Sequence, residues 1–502
     1  MAVILLGEVL GYERMIKMRI NTIWQKYKSL PVQVRASLWF LICSFLQKGI
    51  SMITTPIFTR LMSTSEYGDF GTWNSWQGIL AMIIALSLSQ GVYGQGLIKF
   101  EDNRKVFSSS LQGLSTVLVI FWSAIYFLFH DFWNNLFHLS TIQIVALLIM
   151  IWTSAVFQFW AAEQRVKYLY RTLIIVTLLV SIAKPALSII LVMTSSDKVT
   201  ARILGLMTVE VVGYSWMYIS QMRRGKKFFS KKFWLYALGF NIPLIPHYLS
   251  QVVLNSSDRI MIQRMVGNSE AGIYNLAYSI SLIMTFFNTA LMQTITPWMY
   301  QKIKEKNGRE IAPIAYITLI IIAGVNLLLI VMAPEVVHIF APAEYYEAIW
   351  VIPPVAMSVF FMYSYDLFAK FAFYYEKTSF VMAASVCGAA LNVWLNYIFI
   401  KKFGYIAAGY TTLMCFIVYS LAHYLFMRKV CDQFCEGEYP YDTRKILIIV
   451  IPFIAAGFLL LITYRLPILR YSLLGVGLVG IFINLRRGTK ILKVIIKLKN
   501  IS

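Results

Sequence analysis

Residues 60–75, RLMSTSEYGDFGTWNS, return at residues 264–279 as RMVGNSEAGIYNLAYS. Arg60, Ser65, Glu66, Gly68 and Ser75 fall on Arg264, Ser269, Glu270, Gly272 and Ser279, five identities in sixteen positions at a displacement of 204 residues. The same displacement sets Ala186 and Leu187 on Ala390 and Leu391, Gly205 on Gly409, Thr208 on Thr412 and Arg224 on Arg428. A register held over that distance predicts a duplicated architecture, which is common among transporters.

The segments around the repeat show what solvent the chain is built for. Of 502 residues 59% are hydrophobic and 14% charged, where a water-soluble chain carries about 25% charged residues. Apolar runs recur from Ser37 to Leu485, separated mostly by short polar gaps. Runs long enough to cross roughly 30 Å of hydrocarbon at about 1.5 Å per residue centre near Phe45, Ile83, Val119, Ile151, Leu179, Val211, Ile245, Ile283, Ile322, Phe360, Val393, Phe416, Ala456 and Val476. The expected fold is therefore an all-α integral membrane protein with about fourteen transmembrane helices. Each repeat holds six spans, and an even number returns the second copy to the side on which the first began. Two parallel six-helix lobes followed by two C-terminal helices are predicted. The spans near Ile245 and Phe360 are interrupted by Asn241, Pro243, Pro246 and His247, and by Pro353, Pro354 and Asp366. Such breaks need protein or an aqueous cavity to satisfy the freed backbone groups.

Loop charge fixes the expected orientation, because Lys and Arg are retained on the cytoplasmic side. With the N-terminus inside, 34 of the 45 Lys and Arg residues fall on inner segments and 9 on outer loops or helix ends; Lys48 and Lys184 lie within spans. Both termini are then cytoplasmic. The expected organisation is a basic interfacial lead-in over 1–36, a first lobe over 37–222, a basic linker over 223–234, a second lobe over 235–428, an inner loop over 429–444, two further spans over 445–485 and a basic tail over 486–502. The formal net charge of +22 lines one membrane face, which excludes reading it as a nucleic-acid footprint. No basic n-region precedes an apolar core before Trp39, so a cleaved signal peptide is not expected. Five scattered cysteines make no disulfide framework, and Cys431 and Cys435 have no neighbouring His, so no metal site is expected.

The segment Thr55-Pro56-Ile57-Phe58-Thr59-Arg60-Leu61-Met62-Ser63-Thr64-Ser65-Glu66-Tyr67-Gly68 resembles the first-helix signature of polysaccharide-biosynthesis (O-antigen type) oligosaccharide flippases, roughly Pro-x-x-Thr-Arg-Leu-Leu-Ser-x-x-Glu-Tyr-Gly. These belong to the multidrug, oligosaccharidyl-lipid and polysaccharide exporter superfamily. The likeness continues through Ser257-Asp258-Arg259 to Gly272-Ile273-Tyr274 at the start of the second lobe. It implies a non-enzymatic carrier without a cofactor in the bacterial inner membrane. Its cargo would be an oligosaccharide repeat unit linked by pyrophosphate to undecaprenol, moved from the inner to the outer leaflet for capsule or O-antigen synthesis. Its partners would be that lipid-linked oligosaccharide and the surrounding membrane lipids, with the polysaccharide polymerase and chain-length machinery as candidates.

Ionisable groups inside the membrane give this reading its chemistry, since each costs about 2.5–3.5 kcal/mol at a helix centre on insertion scales. Lys48 and Lys184 sit near mid-depth and are candidates to meet the pyrophosphate; for Lys184 a salt bridge with Glu210 is the competing reading. Arg60, Arg259 and Arg264 lie near outer helix ends, where they could receive the emerging pyrophosphate. For Arg60 and Arg264 the repeated spacing from Glu66 and Glu270 equally suits a loop clasp. His247, Asp366 and Glu210 are the candidates for ion coupling, although Lys370, four residues after Asp366, offers it a local partner. Sugar contacts are sought among Asn241, Asn255, Asn288 and Gln293, with Asn392 and Asn396 beside them; amides also bind transmembrane helices to one another.

A cation-coupled multidrug exporter of the same superfamily would want acids in its cavity, and a membrane polymerase would want a long extramembrane catalytic segment. Neither feature stands out. The orientation has a direct test: in a cysteine-free background, Ser230→Cys should react with an impermeant maleimide only from the cytoplasmic side and Ser196→Cys only from outside. The reverse pattern would invert the topology.

Overall fold

The computed structural model of the chain describes residues 29, 31–89 and 91–476, and among these it contains helices and turns but no strand. The first lobe comprises α1 (Val32–Leu61), α2 (Thr64–Ile84), α3 (Val92–Lys99), α4 (Arg104–Leu128), α5 (His130–Phe137), α6 (Thr141–Val166), α7 (Tyr170–Thr194) and α8 (Lys198–Gly225). The second comprises α9 (Lys231–Asn241), α10 (Ile245–Met265), α11 (Asn268–Ser281), α12 (Thr285–Lys304), α13 (Ile311–Val331), α14 (Ala333–Phe340), α15 (Ile352–Tyr374), α16 (Thr378–Phe403) and α17 (Ala407–Phe434). The helix α18 (Thr443–Ile462) follows, and residues 467–476 begin another. The remainder of the last expected span, the lead-in before residue 29 and the basic tail lie outside the described residues.

Among the described residues, eleven helical segments are long and apolar enough to cross a membrane. The second and seventh expected spans are broken helices instead. In the second, α2 stops at Ile84, Leu86 and Ser87 take positive φ, and the chain resumes helix at α3 after Gly91, whose φ is +64°. The expected span centre at Ile83 therefore falls at a break; Ala85 and Leu86 keep the hydropathy high across it. In the seventh, a 3-10 turn at Ile242–Leu244 separates α9 from α10, with Pro243 and Pro246 removing two backbone donors. One freed group has a partner from the other break. Asn241 donates to the Leu86 carbonyl in the break of the second span at 2.8 Å, so the two interruptions lock together across the lobes. The span expected to break near Phe360 does not: Pro353 and Pro354 occupy the opening turn of α15, where a missing N–H is tolerated.

The duplication is visible helix by helix, with one correction to its register. α2 and α11 begin at residues 64 and 268, and α5 and α14 at 130 and 333, close to the displacement of 204. After that α7 and α16 begin at 170 and 378, and α8 and α17 at 198 and 407, displacements of 208 and 209. The connection from α14 to α15 is longer than that from α5 to α6 and holds an extra 3-10 segment, Ala343–Trp350. The downstream identities at 204, such as Gly205 with Gly409, are therefore four or five residues out of structural register. At about 100° per residue, the slip of four leaves Ala186 and Ala390 about 40° apart around the helix, nearly on one face, whereas the slip of five sets Gly205 and Gly409 about 140° apart.

The lobes meet where α2 crosses α11. A Cβ placed on Gly68 would lie 1.9 Å from the Asn268 carbonyl oxygen, and one on Gly272 would lie 2.0 Å from the Thr64 carbonyl oxygen. Only hydrogen fits at either position, which is why the repeat carries glycine in both copies. Thr64 and Ser269 share a hydroxyl hydrogen bond of 2.7 Å beside the crossing, and Ser63 caps α2 in a capping box with Glu66. Substituting Gly68→Ala or Gly272→Ala should cost about 1–3 kcal/mol of stability through overpacking. A falling thermal midpoint of the purified protein would report it, while Gly94→Ala, with no atom near its added methyl, should leave the midpoint unchanged.

Candidate functional site

Above the crossing, a cavity of about 450 Å³ opens between the first lobe and α10. Its walls carry Asn74 and Gln77 of α2, Ser87 and Ser89 of the break, Ser154 and Gln158 of α6, Lys184 of α7, Glu210 of α8 and Ser256 of α10. Apart from one lysine and one carboxylate the polar wall is amide and hydroxyl. Those two charges are joined: Lys184 Nζ lies 2.5 Å from Glu210 Oε1. Glu210 Oε2 accepts hydrogen bonds from Thr153 at 2.6 Å and Ser154 at 3.3 Å, so the carboxylate is held on both oxygens and deeply buried. A pair with its remaining lone pairs satisfied is the arrangement in which a buried salt bridge is tolerable. It leaves the wall polar and without net charge. Asn74, Gln77 and Gln158 are wall residues that the sequence reading passed over; polar groups at positions 74 and 77, three apart on one helix, were the available signal.

Lys48 is not part of these walls. It projects from α1 with an exposed side chain, its Nζ 5.4 Å from the centroid of Phe286, which also meets Phe45 at 6.2 Å. No carboxylate stands within ion-pair distance of Lys48 among the described residues. Helix α1 buries little of its apolar length and leans on α7, where Gln47 donates to Ser181 at 3.1 Å. Lys48 thus stands at the seam between α1 and the second lobe.

Arg259 and its neighbour Asp258 face different ways and are separately satisfied. Asp258 points into the second lobe and accepts hydrogen bonds from Tyr274 at 2.6 Å, Asn396 at 2.6 Å and Thr412 at 2.9 Å. Arg259 points to the first lobe, donating from Nε to Ser75 at 2.9 Å and from Nη2 to the Asn255 carbonyl at 2.6 Å, with its guanidinium 4.6 Å from the Tyr278 ring centroid. Both side chains are buried.

Arg60 and Arg264 take matching positions. Arg60 donates to the Ile339 carbonyl at 3.0 Å and to Pro56 of its own helix at 2.9 Å, and Arg264 donates to the Leu136 carbonyl. Ile339 and Leu136 lie in the last turns of α14 and α5, the short helices that correspond in the two lobes. Each lobe's arginine therefore satisfies an orphan carbonyl at the negative end of a helix in the other lobe. Thr59 donates to the Phe340 carbonyl at 2.6 Å, Gln263 to Asp69 at 2.8 Å and Tyr345 to the Ser63 carbonyl at 3.2 Å, which complete the closure of that end.

The remaining candidates are scattered. His247 Nδ1 is 3.0 Å from Ser385 Oγ, and Asp366 pairs with Lys370 at 2.7 Å on α15. Asn255 holds Tyr278 and the Gln251 carbonyl, Asn288 donates to the Val359 carbonyl at 2.9 Å, and Gln293 is exposed on α12. Asn392 accepts from Ser257 and Asn396. A further buried acid that the sequence reading missed, Glu163, is held by Lys167 at 2.6 Å and by Arg224 through 2.8 and 3.0 Å bonds.

Against known proteins, the profile of the family described as polysaccharide biosynthesis protein matches residues 34–303, and the MatE profile matches residues 243–398. Lsg locus protein 1 of Haemophilus influenzae is 21% identical over 71% of this chain and 88% of its own length. Among solved structures, the lipid II flippase MurJ in an inward closed conformation superposes with a TM-score of 0.65 at 14% identity, over 87% of this chain and 97% of its own. An inward-facing multidrug resistance MATE family transporter of the MOP superfamily gives 0.59 at 14% identity, over 78% and 96%. A profile covering more than half the chain, together with the two-lobed helical fold, makes this chain a member of the polysaccharide biosynthesis protein family with the membrane transporter fold of the MOP superfamily.

Proposed function

We propose that the protein is a flippase that carries undecaprenyl-pyrophosphate-linked oligosaccharide repeat units from the inner to the outer leaflet of the bacterial cell membrane. The observation that carries this reading is the cavity at the lobe seam. Its walls offer amides and hydroxyls for sugar hydroxyls, and its one fixed charge pair is already neutralised. A cavity built for cationic drugs would keep an unpaired acid, and Glu210 is not one. Sugar contacts are assigned to Asn74, Gln77 and Gln158. Lys48, without a carboxylate partner and at the edge of the bundle, is assigned to the pyrophosphate as it enters from the leaflet. Under the expected orientation the arginine clasp closes the outer end, and rocking of one lobe against the other would open it.

In liposomes containing a fluorescent undecaprenyl-pyrophosphate oligosaccharide, the wild type should exchange the lipid between leaflets. Lys48→Ala should slow exchange about tenfold or more, the loss expected for one hydrogen bond to a charged group. Failure of the folded wild type to exchange any lipid-linked sugar would overturn the proposal. A cysteine pair at Thr64→Cys and Ser269→Cys should cross-link under mild oxidation and stop exchange until reduced; continued exchange while cross-linked would exclude opening at this end. Lys184→Ala should destabilise the protein by about 3–5 kcal/mol by stranding Glu210, and adding Glu210→Gln should recover most of that loss in thermal midpoint.

A further inference from the structure

The lobes place different chemistry at matching positions. Glu210 is residue 13 of α8 and Tyr419 residue 13 of α17; Lys184 is residue 15 of α7 and Asn392 residue 15 of α16. Where the first lobe seats a charged pair, the second has neutral side chains. Around Tyr419 a polar centre is nevertheless assembled. Its hydroxyl is 2.8 Å from Ser385 Oγ and accepts from Gln251 Nε2 at 3.2 Å, while His247 Nδ1 reaches the same Ser385 hydroxyl at 3.0 Å.

One turn further along α17 lies His423, which is 1% exposed. Its ring centroid stands 4.6 Å from that of Tyr419, 5.5 Å from that of Tyr365 and 5.7 Å from that of Phe380. Neither ring nitrogen has a hydrogen-bond partner among the described residues. Packing alone would not select this side chain, because an imidazole with two unmet polar atoms is a poorer core residue than phenylalanine. What it adds is a side chain that can take up and release a proton when its surroundings change, and aromatic rings are a favourable surrounding for the cation so formed.

We propose that His247, Ser385, Tyr419 and His423 form a proton-loading site in the second lobe, and that uptake of one proton there is coupled to movement of the cargo. The groups facing it are few. From α10 comes His247; from α15 comes Tyr365, beside Asp366, which Lys370 already holds; from α16 come Phe380 and Ser385, neither ionisable; from α17 itself comes Tyr419. Among the described residues no carboxylate is paired with either imidazole. The first lobe cannot serve the same purpose cheaply, since protonating Glu210 would strand Lys184.

The proposal rests on the flippase reading for its transport consequence but not for its chemistry, and two measurements separate them. In protein carrying ¹³C-labelled histidine, the resonance that disappears in His423→Gln should titrate on acidification below neutral pH; a His423 resonance that stays fixed down to the pH at which the protein unfolds overturns the site whatever the protein transports. In liposomes, an imposed gradient of one pH unit should shift the steady-state leaflet ratio of the lipid-linked oligosaccharide about tenfold in the wild type, as one coupled proton requires. His423→Gln and His247→Gln should each abolish that shift. Exchange by the wild type that ignores the gradient overturns the coupling while leaving the flippase reading intact, and no exchange with any lipid-linked sugar overturns the flippase reading alone.

Discussion

The lobes are held backbone against backbone where Gly68 of α2 meets α11 and Gly272 of α11 meets α2. Inside a bilayer there is no water to expel from between helices, so association depends on close packing and on polar contacts that packing brings within reach. The glycine crossing supplies the first and permits the second. With the two helices this near, Thr64 reaches Ser269, Arg259 reaches Ser75, and the arginines reach the short helices of the opposite lobe. A larger residue at the crossing would separate all of these together.

Among the described residues, the buried carboxylates away from the crossing follow a common rule: each draws partners from another span. Glu210 draws on α6 and α7, Asp258 on α11, α16 and α17, and Glu163 on α8 as well as its own helix. Such nodes tie two to four helices at a point and keep each carboxylate hydrogen-bonded within the bundle. They also divide the molecule by function. The Asp258 node knits the second lobe, whereas the Glu210 node lines a cavity and is open to whatever occupies it.

Much of the architecture was legible in the sequence because hydropathy and the Arg-x4-Ser-Glu-x-Gly repeat report on long segments. The breaks at residues 85–91 and 242–244 were harder. Pro243 and Pro246 announced the second, but the first lies in a stretch whose apolar content continues across the interruption. The register shift after α14 was hidden because scattered identities at the original displacement continue downstream of it, as at Gly205 and Gly409. Site residues were least legible. Lys184 and Glu210 could be paired on depth alone, but hydropathy cannot tell which face of α2 or α6 looks inward, so Asn74 and Gln77 carried only the mark of their spacing and Gln158 none. His423 gave a weak one, a lone imidazole in an apolar run. Its significance depends on Tyr365 and Phe380, more than forty residues away in the chain.

The closed pair of Lys184 and Glu210 has an electrical consequence. A single unpaired charge displaced across the full membrane exchanges about 2.3 kcal/mol with each 100 mV of potential. Opposite charges 2.5 Å apart that move as one body present the field with only a short dipole, and almost no work is done on them. The pair therefore adds almost nothing to the voltage dependence of any tilt of the first lobe, and whatever voltage dependence the cycle has must enter with charges that are not part of this pair.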